Sequence, residues 1–223
     1  MSQKVPWLRV LVEGVVIVAS ILLAFGIDAW WDRSQQRGQE QELLQGLESD
    51  FVSSLATLDQ TIRIHQLFAE RAAHLESMSD SEVRAIPPDS VERYMRAVSQ
   101  YMTYEPQGGT LNGLVGAGQL SLLEDTALRG LLTGWQQRLD DSAEEAGFLT
   151  STAREIAIRT ARVARPGPDV TPDELLIMLR DEETLALMRS KVFFGELYLG
   201  ELQALRSHGE SVLVAIRAGR AGS

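Results

Sequence analysis

From Val10 to Ile27 every residue is apolar except Glu13 and Ser20, and beyond Ile27 the solid run gives way to apolar residues spaced three and four apart. The eighteen positions of the run would span about 27 Å as a helix, close to the hydrocarbon thickness of a bilayer, so a transmembrane helix is predicted over residues 10–27. The polar stretch "DRSQQRGQEQE" that follows contains no proline and predicts a solvated helical stalk over residues 28–42. Leu44, Leu47, Phe51, Leu55, Leu58 and Ile62 then recur at helical spacing, which predicts one amphipathic helix reaching about Met78, with His65 and Ala69 on the same stripe.

"IPPDS" interrupts the chain, and Asp89 or Ser90 is a candidate cap for a helix running to about Tyr104, before Pro106. In the glycine-rich stretch from 108 to 132, a short helix is expected from about Thr110 to Gly118, followed by an apolar connector, Leu120 to Leu123, that plugs into the core. Asp125 can cap the next helix, with Ser121 and Glu124 as an alternative capping box, and that helix is expected from Thr126 to about Ala164. Thr171, Pro172 and Glu174 mark a restart: N-cap, first position and third position of a short helix to about Arg180. A last long helix is expected from about Glu183 to Arg217, with Leu185, Met188, Val192, Leu199, Leu202, Leu205 and Val212 among its apolar residues. No internal repeat or strand-like alternation of useful length interrupts this reading. The fold class is therefore all-α: an N-terminal transmembrane helix continuing into an antiparallel bundle of about four main helices, which occupies residues 43–223.

Composition adds location and exclusions. The chain has 223 residues, no cysteine and a formal charge of -10. Disulfides, thiolate metal sites and cysteine nucleophiles are excluded. Lys4 and Arg9 cancel Glu13 and Asp28 in residues 1–31, so the whole acidic excess lies beyond the span. An acidic domain of this kind is poorly suited to nucleic acid, and none is expected as a partner. Trp7 and Arg9 on one side of the run and Trp30 on the other are candidate anchors at the two membrane interfaces. With the basic flank inside, residues 1–9 are expected in the cytoplasm and the main domain in the periplasm of a bacterial inner membrane. The rival reading is a secretory signal cut near Gly26, where Ala24 and Gly26 are small enough, which would release a soluble binding protein.

At about 100° per residue, Glu13, Ser20, Ala24 and Trp31 fall within about 20° of one line on the span. Three readings of Glu13 are open. It can snorkel or pair with Arg9 one turn away; it can bond across a contact between helices that the small Ser20 and Ala24 let approach; or it can line a proton or ion path. Elsewhere, Arg154, Arg159, Arg162 and Arg165 gather near a helix end, where they complement its dipole or grip an anionic partner. The glycine cluster lacks the Lys-Ser or Lys-Thr and the preceding strand of a phosphate loop. Histidines 65, 74 and 208 do not fall at metal-ligand spacing; His65 on an apolar stripe reads as a packed core histidine, with pH sensing as the alternative. Asp140 over Glu144 and Asp141 over Glu145 read as a solvated acidic face, with a cation or basic partner as the alternative. No catalytic constellation, cofactor motif or metal site is present in the pattern, so no enzyme activity and no cofactor is expected.

The segments "LRVLVEGVVIVASILLAFGIDAWWDR", "ELLQGLESDFVSSL" and "LVGAGQLSLLEDTALRGLL" together resemble a widespread bacterial family of single-pass membrane proteins of unknown function. In that resemblance Glu13 and Gly14 match a recurring Glu near the start of the span, Trp31 a recurring Trp just after it, and Gly118 to Arg129 a small-Gly-x-Leu, acidic, Leu-Arg segment. It is strongest to about Leu58 and weakens after Arg165. The resemblance implies an anchored topology and brings no activity. The function expected from the sequence is a membrane-anchored periplasmic interaction or assembly module, in contact with lipid and with further copies of itself or another membrane protein. The alternatives are a homo-oligomeric channel or proton path using Glu13, and the secreted binding protein.

Overall fold

The computed structural model describes residues 7–161 and 170–222, and of residues 7–10, 12 and 222 only the backbone. It is all-α, with no strand among the described residues. Helix α1 (Trp7–Ser77) is a single element of 71 residues, about 107 Å long, because no proline falls inside it and its glycines are isolated. The apolar run, the polar stretch after it and the first bundle helix are therefore one unbroken rod. The helices α2 (Asp80–Arg84), α3 (Pro88–Ser99) and α4 (Gly109–Gly116) follow, then a 3-10 turn (Leu120–Leu122), α5 (Thr126–Thr160), α6 (Pro172–Arg180) and α7 (Glu182–Gly222).

The long helices α1, α5 and α7 form the frame. Asp59 meets Arg206 at 2.6 Å, Glu48 meets Arg217 at 2.8 Å and Glu76 meets Arg189 at 2.9 Å, so α7 runs antiparallel to α1 in one register along the bundle. On the other side Phe148 stacks on Phe194 with centroids 5.5 Å apart, and Arg159 pairs with Glu183, so α5 is antiparallel to α7 and parallel to α1. These exposed ion pairs contribute little energy individually, but they oppose slippage of the register.

The fourth leg of the expected bundle is broken. Helix α3 stops at Ser99 rather than near Tyr104, residues 100–108 are extended, and α4 then completes the descent toward the start of α5. Tyr104 is the one residue of 100–108 whose side chain is buried, and its insertion into the core requires the extended backbone. Asp89 and Ser90 do not cap α3. Pro87 holds the N-cap position with φ -58 and ψ 139 and Pro88 starts the helix, an arrangement that the Pro-Pro pair presets, while Ser90 Oγ accepts from Arg93.

Other boundaries follow local chemistry. The Asp125 carboxylate accepts from the backbone N–H of Ala127 at 2.7 Å, so Asp125 caps α5 and the Ser121 box does not form. Thr171 and Glu174 make the reciprocal capping box at α6. An equivalent box of Ser79 and Glu82 starts α2, a turn the periodicity of α1 masks. Gly118, with φ +65, reverses the chain after α4, a conformation that favours glycine. Leu123 is fully buried and Leu120 packs partly against the core, whereas Leu122 is 42% exposed, so the connector plugs the core only at its two ends.

Two apolar clusters stack along the frame. The long one lies between α1, α4, α5 and α7 and is built on Leu47, Phe51, Trp135, Leu202 and Leu205; Phe51 and Trp135 have ring centroids 5.0 Å apart. The second, remote from the span, joins α2, α3 and α6 to the ends of the frame through Leu75, Val91, Ile156 and Leu175. The helices approach closely at Gly209, where a Cβ would stand 2.7 Å from Trp135 Cζ3 and 3.0 Å from Leu55 Cδ2. Gly209→Ala is expected to cost about 1–3 kcal/mol of stability, since the buried indole cannot yield. Gly200→Ala, where nothing lies within 4 Å, should gain up to about 1 kcal/mol from helix propensity. Chemical denaturation of the full chain measures both.

Candidate functional site

Along the first part of α1, the large apolar side chains face outward all round the helix, from 50% exposed at Ile21 to 67% at Phe25. The run has a mean hydropathy of 1.9 and packs against nothing in the bundle, so it is long and apolar enough to cross a membrane. Glu13, Ser20, Ala24 and Trp31 are all exposed, on one line of this helix, and Trp30 is exposed beside them. Ser20 Oγ donates to Val16 O at 2.8 Å within its own helix, so the serine presents a small surface rather than a free donor. The side chains of Trp7 and Arg9 lie outside the described residues. The stalk is solvated to Gln39; packing starts at Glu40, whose buried carboxylate accepts the Glu124 N–H at 2.6 Å just before α5.

Within the arginine group the structure separates the members. Arg159 is held by Glu155 at 3.0 Å and by Glu183, Arg154 is exposed on α5, and Arg162 and Arg165 lie outside the described residues. Asp140 accepts a long bond from Gln136 on its own helix at 3.4 Å. Among the described residues no group of three or more His, Asp or Glu side chains is placed to hold a metal ion.

Several polar side chains of α1 and α7 converge instead on the broken leg. His65 Nε2 donates to Met102 O at 2.7 Å, Ser54 Oγ to Gln107 O at 2.6 Å, and Lys191 Nζ to Ala97 O at 2.6 Å. The Tyr104 N–H donates to Tyr198 Oη at 2.8 Å, and Asp50 accepts from the Thr110 N–H at 2.7 Å at the start of α4. Each of these side chains supplies a backbone group of α3, the extended segment or α4 with a partner that regular helix would have provided. His65 thus is a packed core histidine, with its ring 5.1 Å from that of Tyr198 in an edge-on contact.

Lys191 is the residue the pattern of α7 did not single out. It stands three after Met188 and seven before Tyr198 on the buried stripe, and a lone lysine in that register was the available signal. Only 7% exposed, it lines a partly open pocket between the two apolar clusters, together with His65, Phe68, Ala72, Val98 and Met188. Burial lowers the Lys191 pKa to about 7 and also lowers that of His65, despite the latter's bond to Met102. Burial likewise pushes the Tyr104 hydroxyl up to about 12.

The sign of the lysine effect is fixed. The unfolded chain keeps Lys191 protonated up to its ordinary 10.5, so between pH 7 and 10.5 it binds more protons than the folded chain and stability rises with pH. Lys191→Gln, which keeps an N–H for Ala97 O, is expected to remove up to about 1.4 kcal/mol per pH unit of that slope, measured by unfolding between pH 7 and 9. For His65, whose folded value is depressed below 6.5, stability should fall as pH drops below 6.5, and His65→Gln should flatten that limb.

Comparison of the chain with protein-family models, curated proteins and solved structures gives no match, so the family resemblance of the span and the glycine segment stands as a resemblance alone.

Proposed function

We propose that the chain is a single-pass inner-membrane protein, N-terminus in the cytoplasm, whose periplasmic helical bundle is an interaction and assembly module that self-associates along the span and stalk. The observation that carries the reading is the continuity of α1: the exposed apolar run and the first helix of the bundle core are one helix. A partner gripped by the bundle is thereby coupled mechanically to whatever packs on the span. What supports self-association is the face shared by Glu13, Ser20, Ala24 and Trp31, where small residues permit close approach of a second helix and a carboxylate can bond across it. The acidic bundle stands away from anionic headgroups on a polar stalk, which suits a soluble or membrane-protein partner better than a lipid surface.

The chain has no cysteine, so single cysteines report position without background. In native membranes, Ser20→Cys and Ala24→Cys should form disulfide-linked dimers on mild oxidation, while Leu22→Cys, on the opposite face, should not. Equal yields at the three positions, or none, would sink the shared face. Glu13→Leu with Ser20→Leu should change the oligomer mass in native mass spectrometry. The same spectra should show protomers of full length; protomers shortened near Gly26 would establish secretion instead.

A further inference from the structure

Ser54, His65 and Tyr198 are each occupied by one backbone group of the broken leg, but Lys191 spends only one of its three N–H donors there. Its Nζ lies 2.6 Å from Ala97 O and 5.6 Å from the centroid of the Phe68 ring, and Ala97, Phe68 and Lys191 all line the pocket. The amine is therefore set in the pocket wall. No carboxylate pairs with it among the described residues. The other charged lining groups, Glu76 of α1 and Arg189 of α7, neutralise each other at 2.9 Å on the exposed rim. His65 is the remaining titratable lining group, and α3 and α5 contribute no charged side chain to the wall.

Below the Lys191 pKa of about 7 the pocket thus combines one buried cation that no carboxylate pairs with and apolar walls. A cation would be repelled. A neutral apolar molecule would leave two ammonium donors unanswered in a desolvated site, at a cost that an anionic acceptor removes. We propose that this pocket binds a small dissolved organic anion, a carboxylate on a short acyl or aryl body, with the carboxylate on the Lys191 ammonium and the body against Phe68, Leu185, Met188 and Val192. The site stands about 57 Å along α1 from Ile27, beyond the reach of an acyl chain still embedded in the bilayer, so the ligand comes from solution. Because burial holds Lys191 near a pKa of about 7, binding at higher pH takes up a proton, and affinity falls by up to about tenfold per pH unit.

The test uses the full-length chain in nanodiscs with 13C-methyl methionine, reading the Met188 methyl in the pocket wall. Sodium benzoate and sodium hexanoate are titrated at pH 6.5 and 9, with hexanol and hexylammonium as the uncharged and cationic controls. The expected result is a saturable Met188 shift for the two carboxylates, at least tenfold weaker at pH 9 and at least tenfold weaker in Lys191→Gln at pH 6.5. Ala69→Leu, which leaves the lysine in place and narrows the pocket, should abolish it. No saturable shift at pH 6.5, an equal response to hexanol or hexylammonium, or undiminished binding in Lys191→Gln overturns the proposal. If Lys191→Gln does not fold, Ala69→Leu decides, and unchanged carboxylate binding there overturns it equally.

Discussion

An extended segment that descends through a helical bundle must find partners for backbone groups that a helix would pair internally, and the rest of this structure is arranged around that requirement. Between Ser99 and Gly109 the chain has no ladder of its own. Partners come from both neighbours: Asp50, Ser54 and His65 from α1, Lys191 and Tyr198 from α7. Polar residues therefore sit on stripes that are otherwise apolar, and their unsatisfied alternatives would each cost about 1–3 kcal/mol. The broken leg and the two long helices specify one another.

The same arrangement produces the pocket. A full fourth helix would lay side chains along the groove between α1 and α7; the early end of α3 instead leaves space beside Ala97, closed at its wall by the lysine that caps that end. Continuity of α1 places this pocket on the same rod as the exposed apolar run. The pocket and the apolar run are thus separated by distance but joined by a single helix, and the antiparallel register of α7 stiffens only the part beyond Glu40.

Where local chemistry decides the fold, the sequence was readable. The stripe from Leu44 to Ile62, the caps Asp125 and Thr171 with Glu174, the turn at Gly118 and the plug at Leu123 all depend on residues within a few positions of one another. The early end of α3 was not readable, because residues up to Tyr104 carry no breaker; what ends the helix is the set of partners contributed by His65, Lys191 and Tyr198, far away in the chain. Glu40 reads in sequence as part of a solvated stalk for a similar reason, since its acceptor role depends on Glu124 arriving beside it. The pocket is not legible in the sequence because a buried lysine looks, in one dimension, like an interruption of an apolar stripe. By contrast, the exposed apolar run was evident from composition alone, as an unbroken apolar run needs no tertiary context.

Amide exchange at Tyr104 in the full-length protein, resolved residue by residue, tests the dependence of the bundle on its broken leg most directly. If Tyr198 holds the leg, the Tyr104 N–H is protected while the exposed Met102 and Thr103 exchange fast, and Tyr198→Phe speeds exchange at Tyr104 selectively. Exchange at Tyr104 as fast as at its exposed neighbours in the unmodified chain would contradict it.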